Sequence, residues 1–299
     1  MATATIHLFL NPTAGRGRAG ARQARILALL QEAGLDVELH ASRAVGDMES
    51  QVLSSVDAGA TRIVVAGGDG SVHEAVNGIL RSKNSAGLGV IPTGTGNDFA
   101  KACSISLNWE HATRLLADRL AANQSARPVD AGKMNNRFFA NGAGIGFDAK
   151  VTRTAQSIHL PIGDLIYLLA ILKAMIDGIA TPRVRITADG YSWDGPLTLA
   201  NISNGPWAGG MFYIAPMADN SDGQLELIIA KPITRLGILN LLPKLVKGTH
   251  LQEAVIVHRT VTKLTIQADA PIPSHLDGEV QELQTDFELT ILPGALDLL

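Results

Sequence analysis

Residues 62–71 read Arg-Ile-Val-Val-Ala-Gly-Gly-Asp-Gly-Ser, and the chain continues Val72-His73-Glu74-Ala75-Val76-Asn77-Gly78-Ile79-Leu80. An apolar, β-branched run, a glycine-rich turn and then apolar residues at helical spacing predict strand, turn and helix N-terminus in immediate succession. Free backbone N–H groups and the positive end of the helix dipole then point at one spot, which suits a phosphate. Asp69 is the discordant residue. A carboxylate among phosphate-binding amides repels phosphate unless a cation bridges them or a substrate hydroxyl accepts its help. The pattern favours phosphoryl transfer over passive nucleotide holding.

Outward from this stretch, the first half alternates strands and helices. Strands are expected at Ile6–Leu10, Val37–His40, Arg62–Ala66 and Leu88–Ile91, and helices at Ala19–Ala33, Asp47–Asp57, Ser71–Leu80 and Trp109–Leu120. Strands separated by helices of this length mean βαβ units and a parallel sheet, with ligands bound beyond the carboxyl ends of the strands. The character changes near Ala126-Arg127-Pro128. From there the reading is β-rich, with strands at Arg137–Ala140, Arg183–Thr187, Leu197–Ser203, Leu225–Ile229, Ala254–His258, Lys263–Ala268 and Phe287–Leu292. Asp-Gly and Asn-Gly pairs at 189–190, 204–205, 222–223 and 277–278 predict antiparallel hairpins. The expected fold is therefore a Rossmann-like α/β domain with a parallel sheet over residues 1–128. A β-rich, sandwich-like domain over 129–299 follows, with one helical insertion at about 160–178.

Two more strand ends carry unusual loops. Asn11-Pro12-Thr13-Ala14-Gly15-Arg16-Gly17-Arg18-Ala19-Gly20 holds a nominal G-x-G-x-x-G. Four residues separate its first glycine from the strand and arginines fill two variable positions, so a dinucleotide fingerprint is disfavoured. Pro92-Thr93-Gly94-Thr95-Gly96-Asn97-Asp98-Phe99-Ala100 offers two hydroxyls, two glycines and an amide with little bulk, which suits close approach to phosphate oxygens or an adenine edge.

Composition excludes several classes. Hydrophobic content of 46% with 18% charged residues excludes disorder, and a net charge of −3 gives no electrostatic case for nucleic acid. The single cysteine, Cys103, rules out a disulfide framework and fits a reducing compartment. Met1–Leu10 lacks a basic n-region and a cleavage site, so it reads as a first strand and not a signal peptide. The apolar run 165–172, flanked by Asp164 and Lys173, is too short to span a bilayer and reads as a helix with one buried face, the alternative being a membrane-resting helix. Ile238–Lys247, interrupted by Pro243, reads the same way. The histidines lack zinc spacing, and His73 reads as an exposed helix residue.

The stretches NPTAGRGR, VVAGGDGSVHEAVNG and IPTGTGNDFAK resemble the catalytic domain of the diacylglycerol kinase and sphingosine kinase superfamily, closest to its soluble bacterial lipid kinase branch. NGAGIGFDA at 141–149, NGPWAGGMFYIAPMADNSDGQLEL at 204–227, SHLDGE at 274–279 and LTILPGAL at 289–296 extend the resemblance in order over almost the whole chain. The GGDG core is shared with NAD kinases, so the first domain is expected to be NAD kinase-like. The resemblance implies ATP as co-substrate, contacted by Asn11, Ser42, Gly67, Gly68, Asp69, Gly70, Ser71 and Thr95. Ser71 stands where the family usually has threonine and keeps the hydroxyl and helix-capping role. It implies Glu279 as general base, with Asp69 sharing that role or orienting the acceptor hydroxyl and magnesium. It also implies a structural Mg²⁺, or Ca²⁺, at Asp219, Asp222 and Gln224, whose oxygens suit a hard cation.

The expected activity is transfer of the γ-phosphoryl of ATP to a lipid hydroxyl of diacylglycerol, ceramide, sphingoid or phosphatidylglycerol type. The alternatives are an NAD kinase-like enzyme on a soluble acceptor and a non-catalytic nucleotide- or lipid-binding module. The expected partner is a membrane lipid, met by transient contact of a cytoplasmic protein with the inner membrane surface. No nucleic acid partner is expected, and a homodimer is among the expected assemblies. Gly209-Gly210-Met211-Phe212-Tyr213 and the apolar helices of the second domain are candidate lipid-side elements.

Overall fold

The computed structural model describes every residue except 1–4, 159, 161, 162 and 164. Residues 1–4 of the first stretch, and 161, 162 and Asp164 of the expected insertion, thus lie outside the described residues. The chain divides into two compact units, Met1–Asp130 with Gly294–Leu299, and Ala131–Pro293.

In the first unit the elements are β1 (Ile6–Leu10), α1 (Arg18–Glu32), β2 (Val37–Ala41), α2 (Asp47–Asp57), β3 (Arg62–Gly67), α3 (Asp69–Arg81), β4 (Gly87–Pro92), α4 (Asp98–Ala102) and α5 (Trp109–Ala121). β2, β1, β3 and β4 pair in that order, all parallel, with Leu8 opposite Leu39 and Val64, and Val64 opposite Gly89. Ile6, Leu8 and Leu10 bury their side chains with Ile26 and Leu30 of α1 and Leu116 and Leu120 of α5, a core on one face of the sheet. α2 and α3 are tied together by Glu74. Its carboxylate accepts from the amides of Gly46 (2.9 Å) and Met48 (3.0 Å) at the start of α2, which needs just such partners because α2 has no side-chain cap of its own.

The second unit contains β6 (Arg137–Phe139), β7 (Gly142–Gly146), α6 (Phe147–Gln156), α7 (Leu165–Ile176), β8 (Arg183–Ala188), β9 (Tyr191–Pro196), β10 (Leu199–Ser203), β11 (Leu225–Ala230), α8 (Arg235–Lys247), β12 (Ile256–Val261), β13 (Lys263–Ile272), β14 (Ser274–Leu276) and β15 (Glu279–Val280). Two strands pass the boundary between units: β5 (Arg127–Met134) and β16 (Gln284–Leu298). At its far end β16 sets Asp297 and Leu298 beside Gly87 and Leu88 of β4, in parallel, within the first unit. In the second unit one antiparallel sheet runs β12-β11-β10-β7-β14-β15, and β13 pairs antiparallel with both β16 and β8 in another, which β9 extends. Ile145, Ile202, Leu227 and Leu276 of the first sheet share a core with Ile186, Ile266, Phe287 and Leu289 of the second, so the unit is a sandwich. α6, α7 and α8 form a separate apolar cluster with Phe147, Ile171, Met175, Phe212 and Ile238.

Several local expectations are corrected. His73 is buried at 2% exposure, its backbone carbonyl accepting from Asn77 Nδ2. Helix α8 continues through Pro243, with Thr234 capping its start and Gly248 in the left-handed conformation closing it; a proline in a helix interior costs one bond and a carbonyl clash, but here does not end the helix. The pairs 189–190 and 277–278 are two-residue hairpin turns, whereas Asn204-Gly205 and Asp222-Gly223 are bends at the two ends of the long connection between the antiparallel strands β10 and β11. The expected insertion holds α7, and a further helix that was not expected, α6, precedes it.

Candidate functional site

In the first unit, three loops leave the carboxyl ends of β1, β3 and β4 and meet backbone to backbone. The Thr93 amide donates to the Gly67 carbonyl (2.9 Å), and the Asn11 amide donates to the Ala66 carbonyl (3.2 Å). A Cβ on Gly68 would sit 3.0 Å from the Gly94 Cα, and one on Gly94 would collide with Gly68. Gly15, at φ +59°, would drive a Cβ into the Thr93 carbonyl. Glycine is demanded here by the closeness of one loop to the next. The turn at 67–71 is thereby packed against the third loop backbone to backbone.

Side chains complete the cluster. Asn11 receives the Thr13 amide (3.0 Å) and hydroxyl (2.7 Å) on its Oδ1 and donates through Nδ2 to the Ser71 hydroxyl (3.4 Å). Ser71 therefore serves Asn11 and does not cap α3, whose N-cap is the extended Gly68 with no side-chain bond. Asp69 opens α3, and its Oδ1 accepts the backbone N–H of Phe99 in the first turn of α4 (3.2 Å). This carboxylate faces the positive ends of two helices, a placement that stabilises negative charge. Gly67, Gly68, Asp69, Gly70, Ser71 and Asn11 thus come together; Ser42 lies just past β2, its amide on the Leu10 carbonyl (2.9 Å), and Thr95 is the exposed tip of the third loop. In that loop the Asn97 amide group receives the Gly94 N–H and donates to the Gly94 carbonyl, both at 3.1 Å, instead of capping α4.

The second unit builds its polar cluster from side chains. Asp277 and Gly278 both have positive φ, +50° and +89°, the two-residue turn that joins β14 to β15 and sets Glu279 opposite Leu276. The turn is clamped by Asp277, whose carboxylate accepts from the amides of Ala140 (2.9 Å), Asn141 (2.8 Å) and Gly142 (2.9 Å). Gln156 of α6 donates to the Gly278 carbonyl (3.0 Å). Glu279 itself is half-buried.

Sequence reasoning gave no role to the residues beside this turn. His275 Nε2 lies 3.4 Å from Asp148 Oδ2, and Asn201 donates to the same oxygen (3.3 Å) while accepting from the Ser203 hydroxyl (2.6 Å). The Gly278 N–H donates to His275 Nδ1 (3.3 Å), which assigns the ring proton to Nε2, facing Asp148. Burial pushes the Asp148 carboxyl up, but the adjoining His275 imidazole and the bonds from His275 and Asn201 outweigh it and hold the group below its ordinary value. Gly144 lies beneath the pair, where any Cβ would strike both His275 and Asp148. Asp148 and His275 stand inside the stretches NGAGIGFDA and SHLDGE, yet nothing in their spacing of well over a hundred residues pairs them.

The 219–224 loop is separate and exposed. Asp219 Oδ1 accepts from the Ser221 amide (3.0 Å) and hydroxyl (2.7 Å), and Asp222 Oδ1 accepts from the Gln224 amide (2.9 Å). Each carboxylate is thus held by its own local turn, and the oxygens of the loop are of the donor type that magnesium or calcium takes.

Comparison with known proteins gives one answer along the chain. Residues 5–134 match the diacylglycerol kinase catalytic domain and residues 142–299 match the YegS C-terminal NAD kinase beta sandwich-like domain. A Pseudomonas aeruginosa protein named "Probable lipid kinase YegS-like" is 32% identical over 90% of this chain and 86% of its own length. The diacylglycerol kinase of Bacillus subtilis is 29% identical over 91% of this chain and 88% of its own. In fold, the crystal structure of a diacylglycerol kinase from Bacillus anthracis superposes with a TM-score of 0.76 at 23% identity, over 100% of this chain and 97% of that one.

Proposed function

The chain belongs to the family of YegS-like lipid kinases and diacylglycerol kinases, and from that premise we propose how it divides the reaction among its residues. It is a lipid kinase with ATP as co-substrate. The three loops of the first unit hold the nucleotide, Asp69 supports the reacting phosphoryl group and Glu279 accepts the proton of the acceptor hydroxyl. The meeting of Gly15, Gly68 and Gly94 backbones at the ends of β1, β3 and β4 carries this reading. A pocket walled by amides suits phosphate oxygens, and leaves little for covalent chemistry, as phosphoryl transfer allows.

Bound magnesium would neutralise charge developing on the phosphoryl oxygens. Asp69 is the carboxylate of the loop able to take part, and its present bond to the Phe99 amide keeps it aimed from the first turn of α3. A second, structural ion is assigned to Asp219, Asp222 and Gln224, where it would brace the segment entering β11. An alcohol of very high pKa must lose its proton as it attacks, so a carboxylate within hydrogen-bond reach raises the rate. The clamp of Asp277 on three amides fixes where Glu279 begins, and Asp148 with His275 fixes the other arm of the same hairpin.

The acceptor is a membrane lipid of diacylglycerol, ceramide, sphingoid or phosphatidylglycerol type, reached by resting on the membrane. Among the described residues no helix is long and apolar enough to cross a membrane. Yet Leu165, Leu169, Leu172 and Ile176 of α7 stand exposed at helical spacing, and Leu236, Leu239 and Val246 of α8 stand exposed beside the basic Arg235, Lys244 and Lys247. Such a rim-and-stripe pattern fits an anionic bilayer surface. The test is ATP-dependent phosphorylation of a panel of vesicle-borne lipids, with NAD as soluble acceptor, read by mass spectrometry. Phosphorylated lipid is expected; NADP without any phosphorylated lipid would refute the reading.

A further inference from the structure

A second group of polar side chains lies on the opposite face of the first unit's sheet from α1 and α5. Ile6, Leu8 and Leu10 point to those helices, so His7 and Phe9 alternate to the other side. The parallel register places His7 opposite Glu38 and Phe9 opposite His40, which brings two imidazoles and a carboxylate together across β1 and β2. The separations are 3.2 Å from His7 Nδ1 to His40 Nε2, 3.5 Å from His7 Nδ1 to Glu38 Oε2, and 3.4 Å from His40 Nε2 to Glu38 Oε1. A tetrahedral zinc ion with bonds of about 2.0–2.1 Å keeps its donor atoms about 3.3–3.4 Å apart. The two nitrogens already stand close to such an edge, and a different Glu38 oxygen lies 3.4–3.5 Å from each, so the carboxylate is placed to complete the set.

We propose that His7 Nδ1, His40 Nε2 and the Glu38 carboxylate form a binding site for one divalent transition-metal ion of the zinc class. Two imidazole nitrogens select against magnesium and calcium, which take oxygen, so the site differs in kind from the 219–224 loop. Both imidazoles are largely buried while the Glu38 side chain is 58% exposed, so a fourth position remains open to water on the solvent side. The ring of His40 is stacked on Phe9 at 4.6 Å, with 12° between the planes, and so is held in place before any ion arrives. An ion there clips β2, the edge strand, to β1, and β2 leads directly to Ser42 beside the Leu10 carbonyl. The site is therefore one that steadies the rim of the nucleotide loops and takes no part in phosphoryl transfer.

The test uses tag-free, full-length protein stripped with a chelator, in excess Mg²⁺. Titration with Co²⁺ reports coordination by its visible d–d absorption, and titration with Zn²⁺ is followed by calorimetry and by melting temperature. One equivalent should bind, with the intense absorption of a tetrahedral ion and a rise in melting temperature. His7→Gln should abolish the absorption, and Glu38→Gln should weaken Zn²⁺ binding at least about tenfold. Glu38 is half-exposed and outside the nucleotide loops, so that variant should fold and turn over as wild type does, and it decides the matter if His7→Gln does not fold. No binding to the wild type at about 100 µM Co²⁺, displacement of Co²⁺ by Mg²⁺, or undiminished binding by Glu38→Gln would each overturn the proposal.

Discussion

The loops of the first unit and the hairpin cluster of the second reach a common end, a fixed polar site, by opposite means. The first is made of backbone. Gly15, Gly68 and Gly94 bring three chain segments into contact, and the Asp69 carboxylate is held by an amide in the first turn of α4. The second is made of side chains carried from distant positions: Asp148, Asn201, His275 and Asp277 lock a turn that any Asp-Gly pair could form. A backbone site tolerates changes of side chain but not the addition of a methyl group. A side-chain site fails when a single charge is removed.

That contrast gives its sharpest expected effect at Asp69. Asp69→Asn should lower turnover by about a thousandfold, the scale of a lost transition-state electrostatic contact, while melting as wild type does. The amide oxygen of asparagine still accepts the Phe99 N–H, so folding is spared. Near wild-type turnover in the folded variant would remove Asp69 from the chemistry. Next in size, Gly94→Ala should weaken ATP binding tenfold or more and cost about 1–3 kcal/mol of stability, because its methyl group meets the Gly68 backbone and no side chain can yield. Unchanged calorimetric affinity for ATP would show that the loops move apart freely.

The side-chain cluster predicts a pH effect. The Asp148 carboxyl titrates below its unfolded value, so its contribution is present above about pH 4 and is lost as pH falls through the folded value. Asp148→Asn should therefore lose roughly 1–3 kcal/mol at neutral pH and show a flatter decline in acid than the wild type, in urea melts across pH 2–7. Parallel acid curves would show that the pair with His275 contributes nothing. A smaller effect is expected at Asp222→Ala, which should lower activity and melting temperature together, with added magnesium rescuing neither. A melting temperature and magnesium dependence equal to wild type would count against an ion there.

The two sites also differ in how far they could be read from sequence. The bounds of β1 and α2 follow from apolar periodicity and flanking turn residues, and the glycine turn between β3 and α3 follows from strand, glycine and helix in succession. β7 was not read as a strand because Gly142-Ala143-Gly144-Ile145-Gly146 is poor in strand-forming residues; it is central because Gly144 leaves space for His275 and Asp148. α6 escaped for a similar reason, being short, polar and entered through a glycine at φ +83°. His73 looked exposed on a helix that turns out to be covered on most sides. Glu74 shows the limit plainly: its partners are amides of another helix, and amides have no signature in sequence.

The most direct measurement of the division of labour is steady-state kinetics of Glu279→Ala across pH, on the lipid the panel identifies. With Glu279 as the proton acceptor, kcat should fall by about a hundredfold or more, KM for ATP should barely move, and the acidic limb of the wild-type profile should vanish. A raised KM for ATP with kcat and the acidic limb intact would contradict it, leaving Glu279 as the first strand residue after a well-clamped turn.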